Sequence, residues 1–375
     1  MALVNKVLVV GGGIGGMCAA ILLAKQGVAV DLAEINPQWT VYGAGITIGG
    51  PTLRALRSVG VVDEVLARGG HWSAIDICAA DGSVMHTVPM AAAVGAQELP
   101  PAGGILRPVL ADILGRATLA AGVQVRLGLT FRRVAQDADG VDVLFSDGSS
   151  ARYDLVIGAD GVNSKLREAV FLGAPVPAFT GQGSWRAVVP RKRRNSTIFM
   201  GKTTKAGLNP VSETESYLFV LDHRRNFDII PPEQWPGLLA ELLAEFGGDL
   251  GEIRSGLLSG HAYRIVYRPL MGLMMSAPWH RGRVVLLGDA VHATTPHLAM
   301  GAGIAVEGAV VLAEELARCH FLEGALTAYA GRRYDRARLV VSSSMRMGEI
   351  EQTGGSKEEH TQVMLHAMAA LTAPI

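Results

Sequence analysis

Near the N-terminus, Gly11, Gly13, Gly16 and Glu34 have the types and spacing that bind a dinucleotide. In "VNKVLVVGGGIGG", residues 4–16, an apolar run over Val7 to Val10 stops at glycines in the G-x-G-x-x-G spacing, and Met17 to Lys25 continues as a helix. Each glycine has its own task. Gly11 makes the tight turn, Gly13 lets a pyrophosphate approach the backbone, and Gly16 lets the helix pack close to the strand. The helix N-terminus then faces the phosphates. A second strand, "VAVDLAE" from Val28, ends in Glu34, eighteen residues after Gly16, where a carboxylate can accept hydrogen bonds from a ribose diol. A solvated strand end is the plain alternative; the order strand, loop, helix, strand, acid favours the ribose.

A second ligand-shaped turn lies far away in "VLLGDAVHATTPHLAMGAG", residues 285–303. An apolar strand ends in Gly288-Asp289, Pro296-His297 follow, and Gly301, Ala302 and Gly303 open a helix over Ile304 to Leu316. Between the two turns, "RRVAQDADGVDVLFSDGSSARYDLVIGAD", residues 132–160, contains Asp-Gly turns at Asp139-Gly140 and Asp147-Gly148, the mark of a β-meander. Its last segment becomes an apolar strand, Leu155 to Ile157, that opens on Asp160-Gly161.

These elements need a large scaffold. A chain of 375 residues is long enough for two domains or for one discontinuous domain with an insert, and 49% hydrophobic residues with 46 glycines indicate a buried α/β core with many tight turns. Lys+Arg and Asp+Glu are equal at 34 each, which argues against nucleic acid or an anionic membrane as the main partner. The longest apolar runs are broken by Lys25, Asp289 and Glu307, so no membrane span is expected. The N-terminus enters the nucleotide loop without a leader pattern, and a cytoplasmic location is the expectation. Cys18, Cys78 and Cys319 are scattered and read as inert thiols, with no metal site signalled.

The early G-x-G-x-x-G with its acid, "GADGVNSKLR" and "GDAVHATTPHLAMGAG", in this order, resemble the single-component FAD-dependent aromatic hydroxylases, the group of para-hydroxybenzoate hydroxylase and salicylate hydroxylase. The resemblance runs from Lys6 to about Tyr334. It implies an α/β fold: a Rossmann-like FAD-binding domain with a β-meander, made of residues 1–72, 98–178 and 272–375, and an antiparallel-sheet substrate domain of residues 73–97 and 179–271. A hairpin turned at Asp81-Gly82 is expected to join that sheet, and one amphipathic helix, Glu233 to Phe246, to cover it.

By the same resemblance, adenosine and pyrophosphate lie on Gly11 to Gly16 and Glu34, and Asp289 reaches the pyrophosphate and ribityl region. Gly301, Ala302 and Gly303 present helix amides to the pyrimidine edge of the flavin, where they would stabilise its reduced, negatively charged form. Arg107 in "GILRPVLADIL" is a cofactor contact, with a surface ion pair as its alternative. Gly45 and Ile46 form a loop beside the flavin, and Asp160 lies near the cofactor and the path of the nicotinamide donor. Where relatives often carry Gln in the last glycine cluster and Asp after the helix Glu, this chain has Met300, Ala302 and Glu307-Gly308.

The implied activity is hydroxylation of an electron-rich aromatic substrate, a phenol or hydroxypyridine, by NADH or NADPH and O2 through a flavin C4a-hydroperoxide. A homodimer is the assembly considered. The substrate must lose a proton to a base or a hydrogen-bond chain. His297, just after Pro296, is the first candidate and Tyr217, on an alternating strand, the second. Arg186 and the run Arg191 to Arg194 could attract a carboxylate, or be solvated turns. A related oxidoreductase acting on a lipidic or quinone-like substrate, and a non-catalytic flavin sensor, are the rival readings.

Overall fold

The computed structural model describes residues 3–41 and 43–375. Its central sheet has the strand order His280–Arg281, Val284–Leu286, Leu155–Gly158, Lys6–Val10, Ala29–Glu34, Gln124–Leu127. All neighbours are parallel except the short first pair. Val7, Leu8, Val9 and Val10 are buried, as a parallel strand covered on both faces demands. Register does the functional work here. Val10 pairs with both Gly158 and Ala33, and Gly158 pairs with Leu286. Four strands far apart in the chain therefore end level, bringing Gly11, Glu34, Asp160 and Asp289 to one edge, the edge at which such sheets bind ligands.

The meander forms as a separate three-stranded antiparallel sheet, Phe131–Gln136, Val141–Phe145 and Ser150–Tyr153. Gly148 takes φ +86° at the second turn, where Asp147 accepts hydrogen bonds from the Ser149 backbone and hydroxyl. A third sheet has seven strands in the order Arg264–Gly272, Ala178–Pro190, Glu215–His223, Lys205–Pro210, Ser196–Met200, Ala74–Ala79, Val84–Pro89. The Asp81-Gly82 hairpin does join it, Ala74–Ala79 pairing parallel with Ser196–Met200.

Two expectations are corrected. The single helix over 233–246 is instead a short 3-10 turn, Pro232–Gln234, a helix Trp235–Leu242, and a second helix Gly248–Leu258. The first helix stops at Leu242, and the second starts at Gly248, which takes φ +53° and where a Cβ would press on the Asp81 carbonyl. Gly45 and Ile46 do not lie in a loop. They open strand Gly45–Gly49, which pairs with Ala102–Leu106 and so gains a rigid backbone.

The chain ends in helices Gly301–Arg318, Leu322–Thr353 and Lys357–Thr372. Glu307, fully buried, accepts from Arg333 at 2.7 Å and from Arg336 at 2.8 Å, and Arg336 also donates to the Leu371 carbonyl at 2.8 Å. One carboxylate thus joins the three helices. No helix among the described residues is long and apolar enough to cross a membrane. Cys18 and Cys78 are buried, and burial pushes the Cys18 thiol up to about 12.

Candidate active site

The first turn is built by steric necessity. Gly11 takes φ +106°, and a Cβ on it would collide with the Ala159 carbonyl. A Cβ on Gly16 would collide with the Gly11 carbonyl, whereas one on Gly13 would meet only open space. Helix Ile14–Lys25 has no side-chain cap, so its first amides are available to a ligand. The Glu34 carboxylate is held beside them, one oxygen accepting from Gly12 N–H at 2.7 Å and the other from Asn36 N–H at 2.7 Å. Trp39 donates to the Gly12 carbonyl at 2.9 Å and completes the enclosure.

The second turn meets the first. Gly288 takes φ +64°, and Asp289 follows as the first residue of the short helix Asp289–His292. The Asp289 side chain is exposed, but the protein packed around it pushes its carboxyl above the usual range, opposed by the Arg107 charge. Burial also lowers Arg107, to about 10, with Arg186 adding repulsion and Asp289 opposing. Helix Gly301–Arg318 begins at Gly301, three residues earlier than the expected start at Ile304, and it too has no side-chain cap. A Cβ on Gly15 would rest 3.3 Å from the Ala305 Cβ, so the two helix N-termini open side by side. Pro296 starts the 3-10 turn Pro296–Leu298 that leads into the second of them.

Asp160 organises rather than stands free. It accepts from Ser164 Oγ at 2.5 Å and from Leu166 N–H at 3.1 Å. The buried Arg167 then donates to the Ala290 and Val162 carbonyls, each at 2.9 Å, tying the Asp160 turn to the Asp289 turn. Only tertiary structure shows that bolt.

Across the crevice, Tyr217 and His297 have different surroundings. The Tyr217 hydroxyl lies 2.5 Å from Thr47 Oγ1 and accepts from Asn209 Nδ2 at 3.1 Å, while Asn209 also donates to Thr47 Oγ1 at 2.9 Å. The Tyr217 ring covers Gly45, where a Cβ would strike it. Thr47 and Asn209 were missed in the sequence; Asn209, a polar residue in an apolar strand opposite Tyr217, was the available signal. The His297 side chain is 1% exposed, with Nδ1 2.9 Å from Thr295 Oγ1 and Nε2 3.2 Å from Glu351 Oε2. Both ring nitrogens therefore have protein partners. Glu351 also meets His360 at 3.0 Å and Lys205 at 2.5 Å. Burial alone would raise the Glu351 carboxyl, but His297, His360 and Lys205 hold it far below the usual range.

The crevice thus offers two uncapped helix N-termini, a carboxylate held beside the first of them and a second carboxylate opposed by one arginine. Amides suit pyrophosphate oxygens and carboxylates suit sugar hydroxyls, a fit to a dinucleotide with a polyol chain. The family model described as "FAD binding domain" matches residues 5–344. The chain belongs to this family. FAD is its cofactor. Among similar proteins, the 6-hydroxynicotinate 3-monooxygenase of Bordetella bronchiseptica is 31% identical over 325 residues, covering 82% of this chain and 81% of that protein. The aurachin C monooxygenase/isomerase of Stigmatella aurantiaca is 32% identical over 353 residues, covering 92% and 89%. The structure of Klebsiella pneumoniae HpxO complexed with FAD and uric acid superposes with a TM-score of 0.81 at 26% identity, covering 98% of this chain and 92% of that one.

Glu34→Ala is expected to weaken FAD binding by roughly 1 to 3 kcal/mol, the cost of losing charge-assisted hydrogen bonds. Turnover should recover in excess FAD. The check is FAD affinity by flavin fluorescence beside turnover at saturation; turnover that stays low with FAD saturated would give Glu34 another task.

Proposed function

We propose that this FAD-dependent monooxygenase hydroxylates an electron-rich aromatic or heteroaromatic ring bearing an ionisable hydroxyl. The overall reaction consumes the ring C–H, NAD(P)H, H⁺ and O2 and yields ring C–OH, NAD(P)⁺ and water. The single observation that carries the reading is the Tyr217, Thr47 and Asn209 cluster, three polar groups brought together where the seven-stranded sheet closes over the backbone of Gly45. Relatives with hydroxynicotinate and urate in their names support the substrate class.

Bound FAD, reduced by NAD(P)H, supplies the activation of O2. The protein's own residues do the rest. Gly11 to Gly16 would hold the pyrophosphate through helix amides, Glu34 the adenosine ribose, and Asp289 with Arg107 the centre of the cofactor. Gly301, Ala302 and Gly303 would offer helix amides to the flavin ring, and Gly45 with Ile46 would supply a backbone wall for it. Tyr217 accepts a hydrogen bond from the substrate hydroxyl, drawing electron density into the ring, while Thr47 and Asn209 fix its orientation. His297, held by Glu351, positions the Pro296–Leu298 turn.

Heat-denatured protein should release FAD, and NAD(P)H oxidation by the holoenzyme should accelerate on addition of a hydroxylated ring, with hydroxylated product formed. Release of FMN would reject the cofactor roles. NAD(P)H oxidation that no ring stimulates would reject the hydroxylase reading in favour of a sensor.

A further inference from the structure

Behind the Asp289 turn the interior holds polar atoms that no side chain answers. His292 ends the short helix Asp289–His292 and is completely buried, and neither of its ring nitrogens has a hydrogen-bond partner among the described residues. Arg333 is completely buried too. It donates from Nη2 to Glu307 at 2.7 Å, while its Nε and Nη1 have no partner among the described residues. Buried polar atoms without partners are rare in native proteins, and each needs an explanation.

The two residues are neighbours. The Trp279 ring centre lies 5.5 Å from that of His292, and 5.7 and 6.1 Å from those of Tyr329 and Tyr334, which bracket Arg333 on helix Leu322–Thr353. Burial lowers the His292 imidazole to about 3, and the Arg333 charge adds to the effect. His292 is therefore neutral, with one N–H and one lone pair to satisfy, whereas Arg333 offers N–H donors only. The polar groups around them are engaged elsewhere. Trp279 Nε1 donates to the Met275 carbonyl at 3.0 Å, and the Tyr329 hydroxyl donates to the Leu286 carbonyl at 3.2 Å. Both Glu307 oxygens are taken by Arg333 and Arg336.

We propose that an ordered internal water bridges His292 to Arg333 and makes His292 a positioning residue for the Asp289 turn. Water meets both demands, accepting from an Arg333 N–H and donating to the His292 lone pair, and such waters are the ordinary occupants of buried polar clusters. An anion fits less well. Glu307 already balances the same guanidinium, and the imidazole beside it is uncharged. The bridge has a consequence for the cofactor. Arg167 holds the turn through the Ala290 carbonyl at 2.9 Å, and the water holds it through its last side chain, joining it to the Glu307 cluster of the C-terminal helices. That consequence rests on the proposed contact of Asp289 with FAD; the water itself does not.

The test is a crystal structure of the FAD-loaded protein at a resolution that shows waters, with FAD affinity of the wild type, His292→Phe and His292→Gln read by flavin fluorescence. The wild type should show a density peak within hydrogen-bonding distance of a His292 ring nitrogen and of Arg333 Nε or Nη1. His292→Phe keeps a flat ring but no polar atom, and should lose the peak and weaken FAD binding by about 10-fold, the lower range for a hydrogen bond to a charged group. His292→Gln, whose amide oxygen can accept from the water, should keep most of the affinity. A direct contact of His292 with Arg333, with no density between them, overturns the proposal. So does an anomalous peak at that place in crystals soaked in bromide, because the guest is then an anion. Equal FAD affinity of His292→Phe and His292→Gln overturns the positioning role. Should His292→Phe fail to fold, His292→Asn, too short to reach the water, takes its place in the comparison. If Asp289→Ala binds FAD as the wild type does, the Asp289 reading falls, and the wild-type density still decides the water.

Discussion

Glu307→Ala is expected to destabilise the protein by about 3–5 kcal/mol, the cost of breaking a buried ion pair by removing one partner. Glu307 and Arg333 are both buried; Arg333 Nη2 donates to Glu307, and its Nε and Nη1 have no hydrogen-bond partner among the described residues. Removing the carboxylate would leave the Arg333 charge uncompensated in the interior and free Arg336 from the same oxygens. Denaturant and thermal midpoints of the holoprotein should both fall. A double replacement, Glu307→Leu with Arg333→Met, should cost less than Glu307→Ala, because it removes the charge along with its partner. If Glu307→Ala shifts stability by under about 1 kcal/mol, the level of an exposed pair, the arginines find water and the cluster does not join the C-terminal helices.

Tyr217→Phe should lower ring hydroxylation by on the order of 10²- to 10⁴-fold, the span for a positioned acid–base group. The phenyl ring keeps its packing on Gly45, so FAD content should be unchanged. NAD(P)H consumed would then appear increasingly as hydrogen peroxide, and the defect should shrink at higher pH, where the substrate hydroxyl ionises unaided. His297→Gln is the matched comparison. Its ring nitrogens are engaged by Thr295 and Glu351, so its loss should be the smaller one and should not be relieved by raising the pH. The opposite ranking, with Tyr217→Phe near wild type and His297→Gln rescued at high pH, would return the base to His297.

Glu351 adds a pH dependence of its own. Its carboxyl is depressed in the folded protein, so its stabilising contribution is present above the unfolded value of about 4.3 and is lost as pH falls toward the depressed one.

What the sequence determined by itself was everything that local stereochemistry dictates. Gly11 and Gly16 must be glycine because neighbouring carbonyls occupy the place of a Cβ, and that constraint acts within one strand–turn–helix unit. The Asp-Gly turns of the meander and the apolar strand before Asp289 are legible for the same reason. Tertiary structure alone decided which distant residues meet. Parallel register levels strands from four parts of the chain, and no local pattern encodes that alignment. The Tyr217 hydroxyl found Thr47 and Asn209 on two other strands, and His297 found Glu351 on a helix 54 residues later. A run of basic residues and a lone arginine look alike in sequence. Only packing shows that Arg193 has its carboxylate, because a charge's partner is set by which strands and helices lie against it.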